Sequence, residues 1–571
     1  MEPVGRRTLT ADRLLIAAVV LAGQFGGLQD TPILDRDEAR FAEATRDMRE
    51  RGDAVVPYFN GQPRYHKPIL IYWLQWGSMA VLGPTELAVR LPSVLCGAAL
   101  AVIVYELGRA LFGRRAGLLA CLLTTAAPLV WIESRIGTAD SALAAAVAAA
   151  FLCRIRGRTS SRPALWISGV GAALGAAVLA KGPVALAVFF LAWSAEAISK
   201  FARREGDEAR KEMQAGARGI EAPGRIRWIP SIALAVAFLT AVLPWAILAG
   251  VRTDWAFWRE GLGFHFASRL GRSHEGHGLF PGAHTILLAV TCFPWSLWIP
   301  ASCLFLWRKL REGDPRARFL FGWAFGPLVL FEAAASRLPH YTLPLLPAFA
   351  LVAAWVVEEG AIRRTAAPAF AILTLAALLT IGWAVPVQLR PELKALVAPC
   401  VWGLGSAIAA MALGGCFSWA IAARHGAIPG AVVGLGTWIV SMSLLGSFAA
   451  PRFPPLQISR AVCSAIGAGI AGRADRPSGE AVLLVSFREP SLVFYLRRDL
   501  FPEPGSVVEA SVAEAAERLT AGVRPAWIVA TPAEMTAVAA LSGISVRRAA
   551  ALSGLNISKG QSSELEVGWV P

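Results

Sequence analysis

Charge is what this sequence has least of. Asp, Glu, Lys and Arg make up 17% of its 571 residues, against about 25% in a soluble enzyme. That shortage excludes an ordinary soluble chain, as do 55% hydrophobic residues and a mean hydropathy of +0.52. Histidine is scarce, at seven residues. Cysteine numbers eight (96, 121, 153, 292, 303, 400, 416 and 463), mostly inside apolar runs and with no CxxC or zinc spacing. These read as small core residues. A cleavable-signal pattern is also missing. Arg6, Arg7 and Arg13 precede the apolar run from Leu14 and read as the cytoplasmic flank of an uncleaved first span. From Pro451 onward there is no His and no glycine-rich phosphate loop. Packing or partner binding suits that tail better than catalysis.

What is abundant is long hydrophobic runs, with 20 Trp and 36 Pro to suit lipid interfaces and broken membrane helices. A span needs about 20 apolar residues. The runs give about thirteen candidates, at 13–29, 86–108, 116–132, 140–153, 164–180, 182–199, 228–249, 283–307, 319–334, 343–357, 366–385, 398–420 and 429–448. The fold class expected is therefore an all-α polytopic membrane protein over residues 1–450. Residues 451–571 alternate short β-like runs (481–486, 527–530) with helix-like runs (512–520, 532–541), which reads as a small soluble α/β domain.

Loop charge orients the chain. With the N-terminus inside, every inner loop is basic, from Arg109, Arg114 and Arg115 through Arg154–Arg162 and 200–227 to Arg424. The outer loops 30–85, 133–139, 250–282, 335–342 and 386–397 are mixed or acidic. The net charge of +15 then follows from the positive-inside rule and calls for no nucleic acid. The same alternation places the tail outside.

Polar groups at a membrane face persist for a reason, and the outer face gathers five sets of them. Asp37, Glu38 and Arg40 open an amphipathic stretch from Arg36 to Glu50; Asp37 reads either as a helix cap or as a carboxylate kept ionised by Arg40. Lys67 follows Tyr65 and His66 ahead of an apolar run, either snorkelling to head groups or holding a phosphate as a point charge. Asp140 begins an alanine-rich helix, as its cap or as a second acid. Four of the seven His lie between 265 and 284, beside Arg269 and Arg272. With His66, His265 is a candidate ligand for a divalent metal, although the spacings match no standard zinc motif. Last, Ser336–Pro344 combines Arg337, His340 and Tyr341 in a hinge, which fits an anion site better than a plain turn.

These pieces, in this order and on this face, resemble the GT-C membrane glycosyltransferases that use polyprenyl-phosphate sugars. Asp37-Glu38-Ala39-Arg40-Phe41-Ala42-Glu43 resembles that family's first-loop motif. Gly52–Pro57, Asn60-Gly61 and Lys67-Pro68 continue the likeness, and SRLPHYTLPLLP from Ser336 resembles its late outer hinge. The nearest branch looks like the aminoarabinose transferases that modify lipid A, with protein O-mannosyltransferases as wider relatives. His66 departs from that branch, which has Glu there. The resemblance implies about thirteen spans, interfacial helices in the first outer loop, and a bacterial inner-membrane location with the site on the periplasmic side. It implies Asp37, Asp140 and Glu38 as catalytic carboxylates. It implies Lys67, Arg269, Tyr341, His340 and Arg40 around the donor phosphate. The activity implied is inverting transfer of a sugar, 4-amino-4-deoxy-L-arabinose or a hexose, from undecaprenyl phosphate to a lipid or glycan acceptor such as lipid A. A protein O-mannosyltransferase-like enzyme, a transporter of the same lipid and a non-catalytic scaffold are the alternatives.

Overall fold

The computed structural model describes residues 6–34, 37–197, 228–261, 280–360, 398–472, 480–522, 527–556 and 561–570. The expected span 366–385, the inner loop 200–227, and Arg269 and His265 lie outside them. The other expected spans all fall on helix. These helices are Arg6–Phe25, Glu86–Phe112, Arg114–Ala126 continued by Pro128–Glu133, Asp140–Thr159, Pro163–Lys181, Trp228–Arg252, Pro315–Ala333, Leu346–Glu358, Val401–His425 and Ala427–Leu444, with Val184–Ala197 and a broken helix described below. Among the described residues, six helical stretches are long and apolar enough to cross a bilayer by themselves. The chain is a polytopic helical membrane protein.

Local sequence sets the helix limits. Thr85 accepts from the Ala88 amide at 3.2 Å and starts the helix Glu86–Phe112, as N-cap residues do. Gly113, at φ 103°, ends it. Pro128 and Pro163 stand in the first turn of their helices, where a missing N–H costs nothing. Pro294 has the opposite effect. The run 283–307, expected as one span, is interrupted there into Ala283–Thr291, a 3₁₀ turn Trp295–Trp298, and Ile299–Glu312. Proline lacks the N–H and its ring clashes with the preceding turn.

Small residues then bring the helices close. Gly171 and Gly175, four apart, pack against the helix Trp228–Arg252; a Cβ on Gly175 would lie 2.6 Å from that of Ala241. At one end of the bundle, ion pairs tie the helices. Arg114 and Tyr105 hold Asp12 at 2.7 and 2.6 Å. Arg13, Arg109 and Arg156 converge on Glu106, and Arg154 and Arg158 on Glu196. Arg109, Arg114, Arg154, Arg156 and Arg158, all assigned to inner loops, thus share one end of the bundle.

The other end carries the first loop, which is well structured. The helix Asp37–Arg51 is followed by a hairpin, Tyr58–Phe59 against Gln62–Pro63, and a short helix, Leu70–Leu82. Asn60 and Gly61 turn the hairpin at φ 48° and 80°, the left-handed pair that a tight hairpin turn requires. One ion pair anchors the loop. All five guanidinium N–H of Arg90 are used: on both oxygens of Glu38 (2.7 and 2.9 Å) and on the carbonyls of Leu28, Thr31 and Pro32 (2.7 Å each). Glu38 also accepts from the amides of Leu34 (2.7 Å) and Gly137 (2.9 Å). Both groups are buried.

The tail is a mixed five-stranded sheet in the order 507–509, 482–484, 527–530, 561–569, 547–556, with the first three strands parallel and the rest antiparallel. Capping boxes at Ser511–Glu514 and Thr531–Glu534 start the helices Val512–Thr520 and Pro532–Ser542. The tail shares a core with the first loop. Ile33, Ala39, Ala42, Met79 and Val89 pack with Val462, Val493, Leu496 and Val529. Tyr495 accepts from the Ile33 amide at 2.8 Å and donates to Glu86 at 3.1 Å. Arg460 and Arg498 also hold Glu86. Arg497, fully buried, lies 3.7 Å from both Glu43 and Glu50.

Breaking a buried ion pair on one side leaves an uncompensated charge, at a cost of about 3–5 kcal/mol. Arg90→Met, which strands Glu38 and three carbonyls, should therefore lower the thermal unfolding midpoint in detergent sharply and open residues 28–38 to protease. An unchanged midpoint would show that the loop is held by other means.

Candidate active site

The helix Asp37–Arg51 begins at Asp37 itself, and its neighbour Glu38 is fixed by Arg90. The Asp37 side chain is 49% exposed to solvent, with three cations around it. Burial pushes its carboxyl up. Lys67, then Arg64 and Arg40, pull it down further, to about 2. Arg40 is at 4.0 Å, on the same helix face. Asp37 is thus a permanent carboxylate.

Asp140 reaches the same space from the helix Asp140–Thr159. It makes no capping hydrogen bond. Its partner is Lys181, at the end of the helix Pro163–Lys181, and both side chains are nearly buried. The Lys181 ammonium also stands 5.5 Å from the centre of the Tyr341 ring. His340 lies within electrostatic reach of Asp140, Lys181, Asp37 and Lys67 together, so the first loop, the end of the second outer loop at Asp140 and the hinge converge.

A cavity of about 490 Å³ adjoins this cluster. Its polar end is formed by His66, Lys67, Asp140, Lys181, His340 and Tyr341; its walls include Leu143, Val178, Trp245, Phe257, Trp258 and Phe331. Trp245 is locked by its indole N–H on the Val55 carbonyl (3.0 Å) and by edge contacts with Phe257 and Trp258. Rigid aromatics beside a few polar groups suit an amphiphilic ligand.

Glu38 needs correction. Both its oxygens are saturated by Arg90 and two backbone amides, and it is 1% exposed. It has no lone pair to offer a substrate; its work is to hold Asp37 and the loop around Gly137. Arg337 is also turned aside, donating to the Glu332 carbonyl at 2.9 Å, so the hinge presents Ser336, His340 and Tyr341 to the cavity. For a metal, His66 lines the cavity, but among the described residues no group of three or more His, Cys, Asp or Glu side chains is gathered to hold one.

Three participants were not picked out as site residues. Arg64, buried, donates to the Tyr72 hydroxyl at 3.2 Å and acts on Asp37. Lys181 had a signal, a lone cation between two apolar runs beside Gly182-Pro183. Glu133, buried, accepts from the Thr138 hydroxyl at 3.2 Å; burial and then the Asp140 carboxylate push its carboxyl up.

Comparison with known proteins finds similar chains. A family model described as dolichyl-phosphate-mannose-protein mannosyltransferase matches residues 66–204. The undecaprenyl phosphate-alpha-4-amino-4-deoxy-L-arabinose arabinosyl transferase of Serratia proteamaculans is 30% identical over 328 residues, 57% of this chain and 55% of that protein. Its counterpart in Yersinia enterocolitica is 28% identical over 327 residues, 56% and 55% of the two chains. The chain spans about half the length of the curated relatives it matches. Crystal structures of ArnT from Cupriavidus metallidurans superpose with TM-scores of 0.75 (apo) and 0.74 (bound to undecaprenyl phosphate), at 22% identity over 98% of both chains. The resemblance to GT-C polyprenyl-phosphate sugar transferases is thereby borne out, and the fold of this chain is that of ArnT.

Proposed function

We propose that this protein is an integral membrane glycosyltransferase that moves a sugar from undecaprenyl phosphate to an envelope acceptor of the lipid A type. The observation that carries the reading is the cavity's lining: apolar and aromatic walls with two lysines, Lys67 and Lys181, and the carboxylate Asp140, while the Asp37 carboxylate lies within electrostatic reach of Lys67. The lipid chain suits the wall and the phosphate suits the cations. In the reaction the bond from the sugar's anomeric carbon to the phosphate oxygen breaks, and its electron pair leaves on the phosphate. Lys67 and Lys181 oppose that departing charge from fixed positions, where a low dielectric strengthens them. The acceptor oxygen attacks from the opposite face, inverting the anomeric centre.

The state of Asp37 bears on the acceptor. A carboxyl held near 2 is a weak base at neutral pH, because base efficiency is best when the pKa lies near the working pH. It orients an acceptor better than it deprotonates one. An acceptor already ionised, such as a phosphate on lipid A, needs no base and is favoured on that ground. Similarity to the mannosyltransferase model over residues 66–204 supports a second reading, transfer to a protein hydroxyl. The tail and the site then face the periplasm of a bacterial inner membrane, with the ionic end of the bundle in the cytoplasm. A transporter of the same lipid is separated from these readings by whether labelled sugar leaves its lipid phosphate.

Asp37→Asn should cut transfer from purified donor by about 10²-fold, the cost of a misplaced acceptor, while undecaprenyl phosphate still binds; transfer at the wild-type rate would remove Asp37 from the reaction. Lys67→Ala should raise the donor KM, and an unchanged KM would count against a phosphate role. Because the folded-state value of Asp37 lies near 2, its ionised form is complete above about pH 4 and is lost only as pH falls towards 2. Transfer measured from pH 8 down to pH 5 should carry no acid limb due to Asp37. A limb in that window that moves in Asp37→Glu would contradict the assignment.

A further inference from the structure

His284 is the second residue of the helix Ala283–Thr291, outside the polar cluster, and it is fully buried. Its Nε2 lies 3.1 Å from the Leu338 carbonyl. A carbonyl oxygen only accepts, so Nε2 carries the proton and donates. The same oxygen accepts from the Tyr341 amide at 3.1 Å. Both lone pairs of Leu338 are thus engaged, one by His284 and one by the residue that faces the cavity. The His284 ring also lies nearly parallel to the Tyr341 ring, at 24° and 6.1 Å between centres, and Phe331 is near both, at 6.3 and 5.9 Å. Glu332 approaches the other ring nitrogen at 3.9 Å. It is already committed, accepting from the Gly282 amide and from the amide and hydroxyl of Thr285.

We propose that His284 is a positioning residue for donor binding: it fixes Tyr341 by holding the Leu338 carbonyl and by stacking on the phenol ring. Tyr341 in turn flanks Lys181, whose ammonium is 5.5 Å from its ring centre. The 3₁₀ segment Pro339–Leu345 holds Tyr341 less firmly than an α-helix would, because such turns have poorer hydrogen-bond geometry. The contact through His284 comes from a separate element and supplies that order. The inference rests on the proposed donor, undecaprenyl phosphate.

Two variants separate the two contacts. His284→Phe keeps a ring and loses the donor; His284→Gln keeps a donor and loses the ring. Each should weaken undecaprenyl phosphate binding to the purified full chain, and raise the donor KM, by about fivefold, the factor carried by one typical net hydrogen bond. The kcat should stay within about twofold, since positioning of bound lipid leaves the chemical step intact. In a double-variant cycle, His284→Phe added to Tyr341→Ala should have almost no further effect on binding, because the two act through one contact. Should His284→Phe not fold, His284→Gln carries the same cycle. If the wild type does not bind undecaprenyl phosphate, the donor assignment fails. If it binds and the His284 variants bind equally well with a lower melting temperature, or if their effects add fully to Tyr341→Ala, His284 is core packing and the inference is overturned.

Discussion

The ion pair between Glu38 and Arg90 is the contact on which the rest of the site depends. Every donor of Arg90 and both oxygens of Glu38 are engaged. Four strands of chain therefore meet at one buried point: residues 28–34, the start of the helix at Asp37, the helix carrying Arg90, and the loop at Gly137. Asp37 is next to Glu38 in sequence, and Asp140 follows Gly137 by three residues. The spacing of the two candidate carboxylates is thus set by a group that touches neither. A buried pair of this kind is weak support for stability as such, since desolvation offsets much of the attraction. Its value here is register.

Electrostatics then assigns different characters to neighbouring acids. Asp37 sits among Lys67, Arg64 and Arg40 and is held ionised. Glu133 is buried, with Asp140 as its nearest electrostatic influence after burial itself, and is pushed towards its neutral form. Both are carboxyls on the same face of the protein, separated in behaviour by whether the nearest strong charge is a cation or an anion. A donor phosphate entering beside Lys67 would add negative charge to this balance, and the surplus of cations around Asp37 allows for it.

Much of this was legible in the sequence where the signal is local. Among the described residues the expected spans fall on helix, and Pro294 breaks one of them. The helix at Asp37–Arg51 was expected as an amphipathic stretch, and the tail helices Val512–Thr520 and Pro532–Ser542 begin at capping boxes that any reading of four residues can find. The convergence of Asp37, Lys67, Asp140 and His340 followed from a family motif rather than from pattern. What stayed hidden were pairings across sequence. Glu38 looked like a third acid because Arg90 stands 52 residues away in an apolar helix. Lys181 takes its meaning from Asp140, 41 residues before it, which supplies the counter-charge. The tail was expected to be separate, and nothing in its own composition revealed that Arg497 and Tyr495 reach into the first loop.

That last connection has a consequence in time. The Ile33 amide meets its partner, Tyr495, 462 residues later in the chain. At synthesis rates of about 5–20 residues per second, the first loop waits roughly 20–90 s for the surface that completes its core. During that interval the helix beginning at Asp37 has Glu43 and Glu50 without Arg497, and Ala39 and Ala42 without Val493. The first loop is complete only once the tail has been made and has docked on it.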